Sequence, residues 1–201
     1  MSYSHHFYLV DLERLRALYG SNDEAFVEEI LREKAGRFQD LADNVEDEIE
    51  EGEAPAPDVI LREIVAGATT WRDVDNVYGY VLEIICDYLG EYVESSVHSL
   101  HYHPYSAKLI DNGVPVSIPY GGSDFPEIGY LALEEISGEI ARIEEAPREV
   151  PKTPVPWFLK WLIPEAAPVM SDEAMGEEMD DYKRVLTLAR DQGKSLISFQ
   201  Y

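Results

Sequence analysis

The two ends of the chain constrain its fold most, because both are β-prone while most of the sequence between them has helical periodicity. The segment His5–Val10 is aromatic and β-branched, and it stops at Asp11, a residue type that accepts hydrogen bonds from the first turn of a helix. Residues 196–201 alternate between apolar and polar types, and residues 128–131 form a third short apolar segment. We therefore expect the termini to meet in one small mixed sheet.

Helical periodicity is clearest at residues 78–92. The apolar face of this segment consists of Tyr78, Val81, Leu82, Ile85, Tyr88, Leu89 and Tyr92. Cys86 lies within it, which places this thiol at the centre of the core. Weaker helical patterns recur at 12–19, 26–35, 38–49, 59–65, 133–143 and 175–189. Together these patterns predict a predominantly helical α+β fold, a single domain over residues 1–201 whose helices cover a face of the sheet.

Two segments interrupt the helical pattern. Residues 46–57 combine dense acidic side chains with two prolines, which predicts an acidic and proline-rich linker. Residues 147–168 contain six prolines that flank an apolar cluster with Trp157 and Trp161. Two exposed tryptophans would form an adhesive patch, so this segment is expected to dock either on the core or on another surface.

Charge and cysteine content exclude several classes of function. The chain has 40 acidic and 16 basic residues, a formal net charge of −24, and a pI near 4.3. A basic face for nucleic acid or an anionic membrane is therefore not expected. The single cysteine excludes an internal disulfide framework and a cysteine-cluster zinc site, and no run of eighteen apolar residues is present. We expect a cytoplasmic protein without a cofactor.

Three histidines provide the only pattern that suggests enzymatic chemistry. They are His98, His101 and His103. If the segment is extended, His101 and His103 project to the same side, and Asp111 or Asp124 could complete a metal site with three ligands. This pattern suggests a small metal-dependent hydrolase, whereas a plain surface or edge-strand role is the simpler interpretation.

The acidic clusters are the most unusual feature of the sequence. Seven carboxylates lie between positions 43 and 53, and six lie between 172 and 181. Such a surface could bind a protein partner with a basic face, or it could serve solubility and salt tolerance. The leading hypothesis is a non-enzymatic protein-binding factor, immunity-like or accessory to a defence or stress system. The expected contacts are Glu46, Asp47, Glu48, Glu50 and Glu51, with Trp157 and Trp161 as anchors. If the tryptophans instead contact a second copy of the chain, the protein would be a homodimer or an oligomeric structural protein.

Four segments resemble an uncharacterised family of small bacterial cytoplasmic proteins, a domain of unknown function. These segments are FYLVDLERL at 7–15, YGYVLEIIC at 78–86, DFPEIGYL at 124–131 and SLISFQY at 195–201. They are spread over nearly the full length of the chain. The resemblance implies a bacterial cytosolic setting and transfers no catalytic residue.

Overall fold

A computed structural model describes residues 5–68, 70, 75–97, 107–119, 126–146 and 172–201. The strands are β1 (His5–Val10), β2 (Glu91–Val93), β3 (Glu127–Leu131) and β4 (Ser195–Gln200). The helices are α1 (Leu12–Leu18), α2 (Glu24–Glu33), α3 (Ala35–Asn44), α4 (Glu46–Glu50), α5 (Pro57–Ala66), α6 (Asp75–Leu89), α7 (Ala107–Asp111), α8 (Leu133–Glu145) and α9 (Asp172–Gln192). Helix dominates, and the expected α+β class is confirmed.

The two terminal strands lie side by side at the centre of a sheet with the order β2-β1-β4-β3. β1 and β4 pair along six residues, from His5 opposite Gln200 to Val10 opposite Ser195. The sheet is antiparallel at all three described strand pairs, so the expectation of mixed pairing was wrong. The reason lies in the connection from β3 to β4, which contains the two packed helices α8 and α9. The chain reverses direction at each of these helices. Two helices between two strands therefore give antiparallel strands, whereas a single helix gives parallel strands.

Helices cover both faces of this sheet, not one face as the sequence suggested. Side chains alternate along a strand, and successive positions of β1 and β4 are nearly all buried. One face carries Tyr8 and Phe199, which pack with helices α1–α3, α5 and α6. The other carries Phe7 and Leu196, which pack with α8 and α9. A strand that is apolar at consecutive positions needs cover on both sides, which explains the three-layer arrangement.

Helix α1 begins where the sequence predicted, because the Asp11 side chain accepts a hydrogen bond from the backbone N–H of Arg14. Cys86 is fully buried, as predicted, and this burial raises the pKa of its thiol well above the usual range. Within the described residues, no helix combines the length and the hydropathy needed to cross a bilayer.

The segment 46–57 is more ordered than the expected linker. Its first half is helix α4, and Ala54, Pro55 and Pro57 are buried. The acidic side chains point to solvent, while the alanine and prolines pack under them, so this part of the chain is anchored to the core. The proline- and tryptophan-rich segment at 147–168 lies outside the described residues.

Candidate functional site

A buried glutamate on α6 is the centre of the most developed polar network among the described residues. The side chain of Glu83 is 3% exposed. Its Oε1 accepts hydrogen bonds from His6 Nδ1 at 2.7 Å and from the Tyr8 hydroxyl at 2.8 Å. Its Oε2 accepts a hydrogen bond from the Tyr201 hydroxyl, and Arg37 Nη2 lies 3.4 Å away. Three hydrogen-bond donors and one cation therefore converge on one carboxylate.

The sheet register explains why these donors meet. His6 and Tyr8 are two positions apart on β1, so their side chains share one face of the sheet. Tyr201 directly follows β4, whose residue Phe199 lies opposite His6. Helix α6 packs on this face and places Glu83 above the three side chains, and Arg37 reaches the same carboxylate from α3.

The network holds Glu83 in its ionised form. Burial alone would raise the pKa of this carboxyl, but the hydrogen bonds from His6, Tyr201 and Tyr8 outweigh it and lower the pKa below the usual value. Burial and the nearby Glu83 charge raise the pKa of the Tyr8 and Tyr201 hydroxyls. A charged carboxylate surrounded by neutral phenols is suited to holding structure and charge in place, and it is poorly suited to exchanging protons near neutral pH.

Next to Glu83, helices α3 and α6 enclose a cleft of about 360 Å³, called here the α3–α6 cleft. It is lined by Arg37, Asp40, Leu41, Asn44, Val45, Glu48, Asn76, Tyr80, Glu83 and Ile84. Three carboxylates face one guanidinium, so the lining has an excess of negative charge. The ring of Tyr80 stacks on that of Tyr201, with centroids 5.7 Å apart, and this contact joins the cleft wall to the Glu83 network.

Residues 43–53, called here the acidic segment, contribute Asn44, Val45 and Glu48 to the lining of this cleft. All seven carboxylates of the acidic segment belong to exposed residues. None of them forms an ion pair with another described residue. Between Arg37 and Arg62 the chain has nine carboxylates and no basic residue, so neutralising groups are also missing from the local sequence. Within the part of the chain that the structure describes, the charge of this surface is therefore concentrated and without an ion-pair partner.

A family model described as Domain of unknown function (DUF7691) matches residues 1–201. This chain belongs to that family. The resemblance to an uncharacterised family is thereby confirmed. No curated protein and no solved structure matches the chain.

The residues predicted as sites have different outcomes in this DUF7691 chain. Glu46, Asp47, Glu48, Glu50 and Glu51 are exposed on and just after α4, as a docking surface requires. The residues His98, His101, His103, Asp124, Trp157 and Trp161 lie outside the described residues. Asp111 is exposed at the end of α7, and in the described part of the chain no three His, Cys, Asp or Glu side chains are grouped to hold a metal ion.

Sequence reasoning missed the Glu83 network of this DUF7691 chain. One signal was available, because Glu83 is the only charged residue between Asp75 and Asp87 and it lies in an apolar helical run. A carboxylate in such a position must find donors when the helix is buried. The donors themselves carried no local signal, since His6 is 77 positions away in the chain.

A second buried glutamate, on the other face of the sheet, has fewer hydrogen-bond donors around it than Glu83. Glu139 on α8 is 1% exposed, and its Oε1 accepts a hydrogen bond from Arg142 Nη2 at 3.0 Å. Its Oε2 has no hydrogen-bond partner in the described structure. Burial raises the pKa of Glu139, although Arg142 opposes this shift. The charged form of Glu139 is therefore a cost to the fold, in contrast to that of Glu83.

Replacement of Glu139 by Gln is expected to raise the free energy of unfolding at pH 7 by about 1 kcal/mol, because an isosteric neutral group removes an under-bonded buried charge. The pKa of Glu139 is higher in the folded state than in the unfolded state. The free energy of unfolding of the wild type therefore falls as the pH rises through the interval between these two pKa values. The gain should therefore vanish on acidification, once wild-type Glu139 is protonated. Urea unfolding at pH 7 and pH 4 measures both effects, and a clear loss of stability at pH 7 would contradict the assignment.

Proposed function

We propose that this protein is an acidic, non-enzymatic protein-binding factor whose acidic segment docks on a partner with a basic face. The observation that carries the proposal is the absence of any ion pair at the seven exposed carboxylates of residues 43–53, within the described structure. We further propose a bacterial cytoplasmic setting, with an immunity-like or accessory role in a defence or stress system.

The distribution of ion pairs supports a specialised surface. Elsewhere, exposed carboxylates do find cations, as Glu24 does with Arg62 at 2.6 Å and Glu144 with Lys183 at 2.6 Å. A surface used only for solubility would be expected to mix both signs in a similar way. Concentrated charge instead focuses the electrostatic potential, which accelerates encounter with a basic partner and fixes its orientation.

The Glu83 network supports a binding role rather than a catalytic one. Three hydrogen bonds and the ion pair with Arg37 stabilise the ionised form of Glu83, so this carboxylate is a weak base toward a substrate. Its negative charge still contributes to the potential of the α3–α6 cleft. The rigid network thus supports the helices that present the acidic segment.

The test compares two variants with equal net charge. One removes five of the seven charges of the acidic segment with Glu46→Gln, Asp47→Asn, Glu48→Gln, Glu50→Gln and Glu51→Gln. The matched control removes five exposed carboxylates outside both acidic clusters with Glu13→Gln, Glu28→Gln, Glu94→Gln, Glu134→Gln and Glu145→Gln. A partner is first isolated from the native host at low salt on the wild-type protein, and its dissociation constant is then measured for all three proteins.

The segment variant is expected to bind the purified partner at least about tenfold more weakly, while the control stays within about twofold of wild type. Wild-type affinity should also fall as salt rises, because exposed charges are screened. Equal weakening by the two variants would mean that net charge alone matters, and a partner indifferent to both variants would overturn the proposal.

A further inference from the structure

The α3–α6 cleft has one wall with regularly spaced acceptors. Asp40, Asn44 and Glu48 follow one another at intervals of four residues. The helical hydrogen bonds continue across the junction of α3 and α4, since Val45 N–H donates to Leu41 and Ile49 N–H donates to Val45. The three side chains therefore form one row along the cleft, with neighbours about 5–6 Å apart at Cβ.

The floor of the cleft already binds a guanidinium. Arg37 lies 3.4 Å from the Glu83 carboxylate and 3.3 Å from that of Asp87. This internal contact shows that a guanidinium fits against the buried carboxylate at the base of the cleft. Asp40 and Glu48, by contrast, form no ion pair with any described residue, although both line the same cavity.

We infer that the α3–α6 cleft binds an arginine side chain of the protein partner. This inference rests on the proposed function and names the group that its partner supplies. A cavity of about 360 Å³ has room for one long side chain, and the excess of carboxylates in its lining favours a cation.

The geometry favours arginine over lysine and over a metal ion. A guanidinium is planar and carries five N–H donors, so it can engage two neighbouring acceptors of the Asp40–Asn44–Glu48 row together. An ammonium is a compact point charge that engages one of them closely. Among the described residues no three His, Cys, Asp or Glu side chains are grouped to hold a metal ion, so the lining of the cleft does not favour one. The Tyr80 ring in the opposite wall adds a surface on which a guanidinium can stack.

The probes are fluorescein-labelled hexa-arginine and hexalysine peptides, with binding measured by fluorescence anisotropy. The cleft variant combines Asp40→Asn and Glu48→Gln, both at exposed residues that should not affect folding. The matched control combines Glu46→Gln and Glu50→Gln, which remove the same charge from the acidic segment outside the cleft lining. The readout is the dissociation constant for hexalysine divided by that for hexa-arginine. Because the two peptides carry the same charge, a change in protein charge alone leaves this ratio unchanged.

Wild type should bind hexa-arginine about tenfold more tightly than hexalysine. The cleft variant should reduce this ratio to about one to two, while the control should weaken both peptides equally and keep the ratio. Equal binding of the two peptides by wild type, or a ratio unchanged in the cleft variant, would overturn the inference and leave the proposed function standing. Failure of wild type to bind either peptide would count against the proposed function itself.

Discussion

Replacement of Glu83 by Gln is expected to lower the free energy of unfolding by about 3–5 kcal/mol at pH 7, the range found when one partner of a buried charge network is removed. Glutamine has one acceptor oxygen where glutamate has two, and its amide directs two N–H donors at groups that also donate. The donors around it, above all His6 and Tyr8 at 2.7 and 2.8 Å, then lose the acceptor on which they converge. Urea unfolding monitored by circular dichroism measures the loss.

The pH dependence of this loss identifies its cause. The pKa of Glu83 is lowered in the folded state, so its contribution to stability is fully present above the unfolded value and is lost as the pH falls through the folded value. The difference between wild type and Glu83→Gln should therefore shrink below about pH 4.5. Glu139→Gln is the matched control, with the opposite sign at pH 7. A Glu83→Gln protein within about 1 kcal/mol of wild type would show that the network does not stabilise the fold.

Replacement of Gly90 by Ala is expected to cost about 1–3 kcal/mol, because the added methyl group has no room. Gly90 joins α6 to β2, and a Cβ built there would lie 2.5 Å from the backbone oxygen of Leu9 and 2.9 Å from Val10 Cγ2. Both neighbours belong to the central strand β1, so relief requires the α6–β2 junction to move away from β1. Because α6 carries Glu83, amide signals of His6 and Arg37 should shift in the NMR spectrum of the variant.

Gly138→Ala provides the control for this substitution. Gly138 is an exposed residue of α8, and nothing lies within 4 Å of a Cβ built at that position. Alanine in a helix interior is more favourable than glycine, so this variant should gain about 0.5–1 kcal/mol. Thermal unfolding of both variants should thus give shifts of opposite sign, and a stabilising Gly90→Ala would contradict the close packing at the α6–β2 junction.

Much of the fold could be predicted from local patterns. The β-prone ends were sufficient to place His5–Val10 and the C-terminal segment in one sheet, because strands of this composition need partners. The direction of pairing and the cover on both faces could not be predicted in the same way. They depend on how many helices intervene between β3 and β4 and on burial at consecutive strand positions, which emerge only when the elements are assembled.

Some features of the candidate site could likewise be predicted from the sequence, and others could not. Exposure of the acidic segment followed from composition, since such dense charge cannot be buried. The absence of ion pairs between this segment and other described residues depends on where the basic residues lie in space. The Glu83 network joins residues as distant in sequence as His6 and Tyr201. Hydrophobic periodicity predicts that Glu83 lies in a helix and gives no information about its partners. Its role as a hydrogen-bond acceptor can be assigned only when the sheet face that packs against α6 is known.

Docking at the acidic segment can be tested by a hydrogen-exchange footprint of the complex between wild-type protein and its isolated basic partner. Backbone amides of α3, α4 and the residues up to position 53 should become protected on binding, together with those of α6 that line the cleft. Protection confined to other parts of the surface, with exchange in residues 43–53 unchanged, would contradict docking at the acidic segment.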